Sequence, residues 1–315
     1  MLSRTADHLY WMSRYVERAE GLARMIDAHH RMSLLPHAPA SLRASLQSSL
    51  AALDLENLYH AHHERIEARL VFEFLIVGQG WGGSLIDCLR SARENARAIR
   101  GTLTSELWET LNSTWLEART IAARGQIGAE TGQFVEWVKE RSHLTRGVTI
   151  GTMLRDEAFH FSRIGTFIER ADNSARFLVA RRDDLQPGAD AGRVPDPFEW
   201  SVLLRALSAF EVYRRRYREV ITPLRVAELL ILCDDMPRSL LRCTREVYRN
   251  LRAVANDQSS ETERRAGGLH STLHFTRLES LIERGLARFL EEFLAELYAL
   301  GERVAVDFLL PPIEV

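Results

Sequence analysis

Lysine is almost missing from this chain: Lys139, in `FVEWVKERSH`, is the only one among 315 residues, and every other basic side chain except histidine is arginine. A phosphate-loop lysine and the strand lysine of a kinase are therefore excluded, and Lys139 alone could form a Schiff base. Glycine gives no phosphate cradle, because `GQGWGG` at 78–83 lacks GxGxxG spacing and no strand precedes it. The three cysteines, Cys88, Cys233 and Cys243, are too few and too scattered for a disulfide framework, and no CxxC pair suggests zinc, so they read as reduced core thiols. Charge of one sign is not in excess: the formal net charge is -2 and the pI is near 6.6, with no basic run or basic-aromatic stripe to suit nucleic acid. The most apolar runs, `LVFEFLIVG` and `VAELLIL`, are short and broken by Glu, and `MLSRTADHLYWMSR` has no apolar core of signal length. These absences suggest a cytoplasmic protein without a membrane span, a nucleotide site or an implied cofactor.

What is present is helical periodicity, nearly everywhere, with no sustained alternation of apolar and polar residues. The pattern predicts an all-α fold with helices at about 3–31, 40–52, 56–76, 84–100, 104–123, 130–146, 149–184, 197–218, 222–233, 238–257 and 268–308. Breaks are expected at Pro36 with Pro39, at 78–83, at 124–128 and in the polar stretch 183–197. Ser84 and Ser239 stand where helices begin and read as N-caps rather than nucleophiles.

Within the first helix, `RYVERAEGLAR` at 14–24 places Glu17 and Arg18 side by side in an apolar run, so at least one charge must lie near the buried side. The pattern returns as `TFIERADNSAR` at 166–176. At an offset of 152, Glu17, Arg18, Glu20 and Arg24 fall on Glu169, Arg170, Asp172 and Arg176, and His8 falls on His160. At an offset of 155, Glu73, Ser84, Cys88 and Asn95 fall on Glu228, Ser239, Cys243 and Asn250. Two stretches in the same order at nearly one offset imply a tandem duplication. The expected architecture is two pseudo-symmetric helical-bundle repeats, 1–147 and 148–315, packed into one globular unit.

Glu17 and Arg24 are two helical turns apart, too far for a tight pair, so partners are expected on other helices. Glu73 and Glu228, each in an apolar run, are the candidates to meet Arg18 or Arg24 and Arg170 or Arg176. About a pseudo-twofold axis these seven side chains and Glu169 could gather at one central cleft. They could be inter-helix ion pairs that fix register, or they could line a site for an anionic or peptide-like ligand, or for proton transfer by a carboxylate. Metal chemistry has a weaker basis. `YHAHHERIEARL` offers His60, His62, His63, Glu64 and Glu67, with His63 and Glu67 one turn apart, and Glu157 with His160 forms a lone ExxH. Both sets are incomplete, and the first reads as an exposed polar helix face.

The segments `MLSRTADHLYWMSRYVERAE`, `TMLRDEAFHFSRIGTFIERAD` and `MPRSLLRCTREV` resemble the signature segments of the alpha-E family, bacterial helical proteins named for a repeated Glu-Arg motif. The resemblance spans essentially the whole chain. It implies association with circularly permuted ATP-grasp proteins and transglutaminase-like proteins, and so with systems that form or cleave amide bonds in small peptides. With the readings of the residues above, three functional classes stay open: a helical partner subunit of such a ligase, an enzyme acting on a peptide or amide through its Glu/Arg cleft, and a metal-binding helical protein.

Overall fold

The computed structural model describes residues 1–34, 39–78, 81–124, 130–181, 185 and 197–309. Among them are fifteen α-helices and no strand, so the fold is all-α. The first half of the chain forms α1 (Ser3–Ser33), α2 (Pro39–Ala52), α3 (Glu56–His60), α4 (Ala68–Val77), α5 (Leu85–Ala98), α6 (Ser105–Ala123) and α7 (Thr131–Thr152). The second forms α8 (Glu157–Val179), α9 (Pro197–Ala206), α10 (Phe210–Tyr217), α11 (Pro223–Leu232), α12 (Leu240–Ala253), α13 (Ser260–Phe275), α14 (Leu278–Arg284) and α15 (Leu286–Phe308).

α1 and α8 lie against each other at the centre. Around α1 are α5 and α7, bridged by α6; around α8 are α12 and α15, bridged by α13. Small residues let the central pair approach. At Gly165 a Cβ would overlap the Tyr10 carbonyl oxygen, so only glycine fits where α8 crosses α1. Ala19, Ala23, Ala171 and Ala175 are fully buried along the same pair, which sits in one continuous apolar core. Burial of such faces, rather than helix propensity, is what holds helices of this length.

Helix starts follow local chemistry. Ser84 Oγ accepts from the Asp87 N–H and Ser239 Oγ from the Arg242 N–H, so both serines are N-caps. Asp156 caps α8 by accepting from the Ala158 and Phe159 N–H groups. The helix break expected between 146 and 149 lies inside α7, which runs to Thr152; the chain turns over 153–156.

Three expected helices are each split. The helix at 56–76 is α3 and α4, because Tyr59 donates its hydroxyl to the Arg65 carbonyl and folds 61–67 back as non-helical chain. The helix at 197–218 divides at Ser208, whose φ is 55°, and the one at 268–308 begins earlier, at 260, and divides twice, at 276–277 and at Gly285, whose φ is 88°. Periodicity in apolar residues continues across such turns, which is why it did not show them. The breaks expected at Pro36, at 125–128 and over 186–196 lie outside the described residues. Among the described residues, no helix is long and apolar enough to cross a membrane.

Candidate functional site

Both Glu-Arg motifs point into the α1–α8 seam, and each serves the other. Arg170 on α8 donates to Glu17 on α1 through Nε to Oε1 at 2.9 Å and Nη2 to Oε2 at 2.7 Å. Arg18 on α1 donates to Glu169 on α8 through the same atoms, Nε to Oε1 at 2.5 Å and Nη2 to Oε2 at 3.0 Å. A planar guanidinium meeting a carboxylate in this fork is the geometry that tolerates burial, and Glu17 and Glu169 are 2% and 1% exposed.

Each pair sits in a wider group. Glu17 Oε1 also accepts from Arg238 Nη1 at 2.7 Å, and Arg238 Nη2 donates to Glu20 Oε1 at 2.9 Å, so this arginine bridges two carboxylates. Glu20 is fully buried and is further paired with Arg24 and Arg146. Glu169 Oε2 accepts from Arg14 Nε at 2.7 Å. Asp172 accepts from Arg176 Nε at 3.1 Å and from the Tyr298 hydroxyl at 2.9 Å.

Burial alone would push these carboxyls up, but the surrounding arginines outweigh it. Arg170 and Arg238 hold Glu17 far below the usual carboxylate range, Arg14 and Arg18 lower Glu169, and Glu20 is also lowered, chiefly by Arg238. Arg163, 18% exposed and close to Arg170 and Arg146, is instead pushed down to about 10, by burial first, with Glu246 only partly restoring it. Cys88 and Cys243 lie under the two motifs, and burial raises both thiols to about 12.

Three expectations are corrected. Glu73 is on the exposed side of α4, and Glu228, partly buried, pairs with Arg225 at 2.9 Å on its own helix, so neither reaches the motif arginines. The apolar runs around them suggested burial, but a helix ten residues long still has an outer face. Arg24 and Arg176 find partners on their own helices, four residues back, at Glu20 and Asp172. His63 and Glu67 do not share a helix face, since 61–67 is non-helical; His62 Nδ1 meets the Leu58 carbonyl and His60 Nδ1 the His63 carbonyl. His160 Nδ1 meets Asn250 Oδ1 at 2.8 Å, and His8 Nδ1 meets Asn95 Oδ1 at the same distance, both as hydrogen-bonded helix ties. No group of three or more metal-ligating side chains occurs among the described residues.

Sequence reasoning missed Arg14, Arg146 and Arg238 as members of the groups. Arg238 was the most legible, standing directly before the N-cap Ser239 and opposite Gly83 at the offset of 155.

Beside the Glu169 group opens a cleft of about 540 Å³, walled by Trp11, Tyr15 and Trp81 and floored by Arg18, Glu169 and Asp172. Beside Glu17, the buried Arg238 guanidinium lies against the carboxylate instead. The chain is thus an all-α protein built about two Glu-Arg motifs that exchange partners across a central helix pair.

A family described as Alpha-E, a predicted alpha-helical domain with a conserved ER motif, matches residues 1–309, and the chain belongs to it. It is similar to an uncharacterized protein of Mycobacterium bovis and to two of Mycobacterium tuberculosis, each 24% identical over 327 residues. The match takes in 94% of this chain and 35% of each relative, so the chain spans about a third of the length of the curated relatives it matches. No solved structure matches it.

Proposed function

We propose that this chain is a cytoplasmic helical partner subunit of a peptide-bond-forming system, in which a circularly permuted ATP-grasp protein supplies the ATP chemistry and a transglutaminase-like protein acts on the same amides. On this reading the chain holds a peptide-like substrate group in the cleft beside Glu169. On this reading it is also built as two related halves, about 1–147 and 148–315, with the boundary falling within α7.

The observation that carries the reading is the pairing of a 540 Å³ cleft with a rigid charged floor. Arg18, fixed by the enclosed Glu169, and Asp172, fixed by Arg176, keep some exposed surface, so the cleft presents charge without having to organise it on binding. The same fixation argues against a proton-transfer role, since carboxyls held low by arginine remain ionised and make poor bases. The lack of a phosphate-binding motif suits a division of labour with a nucleotide-using partner. The relatives carry the matched region within chains about three times as long, in keeping with a unit that works beside further chain.

The test is ADP release by the ATP-grasp protein with candidate amino acids and peptides, with and without this chain. Stimulation by wild type, lost in a Glu17→Gln, Glu169→Gln double variant that still melts cooperatively, supports the reading. An unchanged rate in the presence of wild type overturns it.

A further inference from the structure

The two Glu-Arg groups differ by one guanidinium. Within 4 Å, Glu17 and Glu20 share Arg24, Arg146, Arg170 and Arg238. Among the described residues, Glu169 and Asp172 share three arginines, Arg14, Arg18 and Arg176. The contact of Glu169 with Arg18 repeats that of Glu17 with Arg170 atom for atom, Nε to Oε1 and Nη2 to Oε2. The second donor breaks the symmetry. Glu17 Oε1 also accepts from Arg238 Nη1, whereas Glu169 Oε1 takes no second donor among the described residues.

The residue 155 positions before Arg238 is Gly83, which has no side chain to supply one. Gly83 lines the cleft opposite Glu169 and Asp172, the residues 152 positions after Glu17 and Glu20. Where Arg238 fills one side, 5% exposed, the other side is open.

We infer that the cleft between Trp81–Gly83 and the Glu169–Asp172 turn of α8 binds the guanidinium group of a ligand, in the place that Arg238 fills in the second half. This deepens the cleft reading proposed above and rests on it.

The walls suit such a group. Trp11, Tyr15 and Trp81 offer aromatic surface, on which a guanidinium stacks more readily than an ammonium. Asp54, exposed at the rim, adds a third carboxylate. The cations that also line the cleft are committed elsewhere: Arg18 to Glu169, and Arg176 to Asp172, the Ala52 carbonyl and the Tyr298 hydroxyl. Two buried donors on the walls, Trp81 Nε1 and Asn173 Nδ2, have no acceptor among the described residues. A ligand with a carbonyl or carboxylate near its guanidinium would satisfy them once the Trp81 or Asn173 side chain turns towards the cleft, which describes an arginine unit, either free or within a peptide.

The test is calorimetric titration of the full chain with L-arginine, agmatine and the peptide acetyl-Gly-Arg-Gly-amide, beside the same peptide with citrulline, which keeps the shape and loses the charge. Arginine ligands are expected to bind at least about tenfold more tightly than the citrulline peptide, the usual scale for a charge-assisted hydrogen bond. Tighter binding of the peptide assigns the site to a peptide arginine; tighter binding of free arginine assigns it to a small molecule. Asp172→Asn should weaken binding about tenfold by the same reasoning. Should that variant fail to fold, Asp54→Asn serves, since asparagine accepts the φ of 58° at this position. In Arg238→Ala, millimolar agmatine should raise the melting midpoint by filling the emptied place, more than it does in wild type. Equal binding of arginine and citrulline peptides, or none by either, overturns the inference. Because binding is read on this chain alone, the result is independent of whether any ATP-grasp protein is stimulated.

Discussion

The Glu17 carboxylate on α1 takes both prongs of the Arg170 guanidinium on α8, at 2.9 and 2.7 Å, although the two residues are 153 positions apart in the chain. A contact so distant in sequence and so deeply buried ties the middle of α1 to the middle of α8, and removing one partner strands the others. Glu17→Ala leaves Arg170 and Arg238 without their main counter-charge, and it is expected to cost about 3 to 5 kcal/mol. Arg18→Ala, at a side chain 31% exposed, should cost clearly less. Urea melts of the two variants give the comparison, and equal losses would refute the assignment of Glu17 as the more central partner.

Replacing Gly165 tests the seam by shape rather than charge. A methyl group there overlaps the Tyr10 carbonyl oxygen, so Gly165→Ala must push α8 off α1 and should destabilise by about 1 to 3 kcal/mol. Gly151→Ala, near the end of α7 with nothing within 4 Å of the new methyl, should be neutral or gain up to about 1 kcal/mol. Thermal melts that rank the two variants the other way round would contradict the close approach.

His29 provides a pH signature. It is fully enclosed, with Nδ1 donating to the Met25 carbonyl at 2.9 Å and Nε2 beside Ser45 Oγ at 3.1 Å, and burial, with Arg181 nearby, lowers its pKa to about 4. The unfolded chain therefore binds this proton first as pH falls. Stability is expected to be complete above about pH 6.5 and to decline towards pH 4. His29→Asn should flatten that part of the profile. The carboxylates Glu17, Glu20 and Glu169, whose folded pKa values are depressed, contribute above their unfolded values and lose that contribution only at lower pH, where a second and steeper fall is expected. Denaturant midpoints measured from pH 8 to pH 3 separate the two falls.

Thiol chemistry should be selective. Cys88 and Cys243 are fully buried with thiols raised to about 12, whereas Cys233 is half-buried. In the native protein a thiol-reactive disulfide reagent should modify Cys233 first, with the other two reacting only on unfolding. Mass spectrometry after brief labelling reads this directly, and prompt labelling of Cys88 would contradict the enclosure described.

Much of this was legible in the residues. A Glu and an Arg adjacent in an apolar helix could not both face water, and the return of the pattern 152 positions later gave two of them to place. Partner choice was not legible. Glu73 and Glu228 looked buried because their neighbours are apolar, yet periodicity fixes a face only when the helix is long enough to show both sides, and α4 and α11 have ten residues each. The roles of Arg146 and Arg238 depend on how α7 and the start of α12 approach the seam, which is tertiary information. Glu20 and Arg24, four apart, could have been paired from spacing alone.

The exchange of partners between α1 and α8 also bears on how such a chain can change. A substitution in either motif is felt across the seam, at the other copy, before it is felt locally. Neither copy is then free to drift while its twin is kept, and charge reversal at Glu17 would have to be answered at Arg170, not at its own neighbour Arg18. Among the described residues, those lining the open cleft away from the two motifs, such as Trp81 and Asp54, stand outside that mutual constraint and can change without an answering change across the seam.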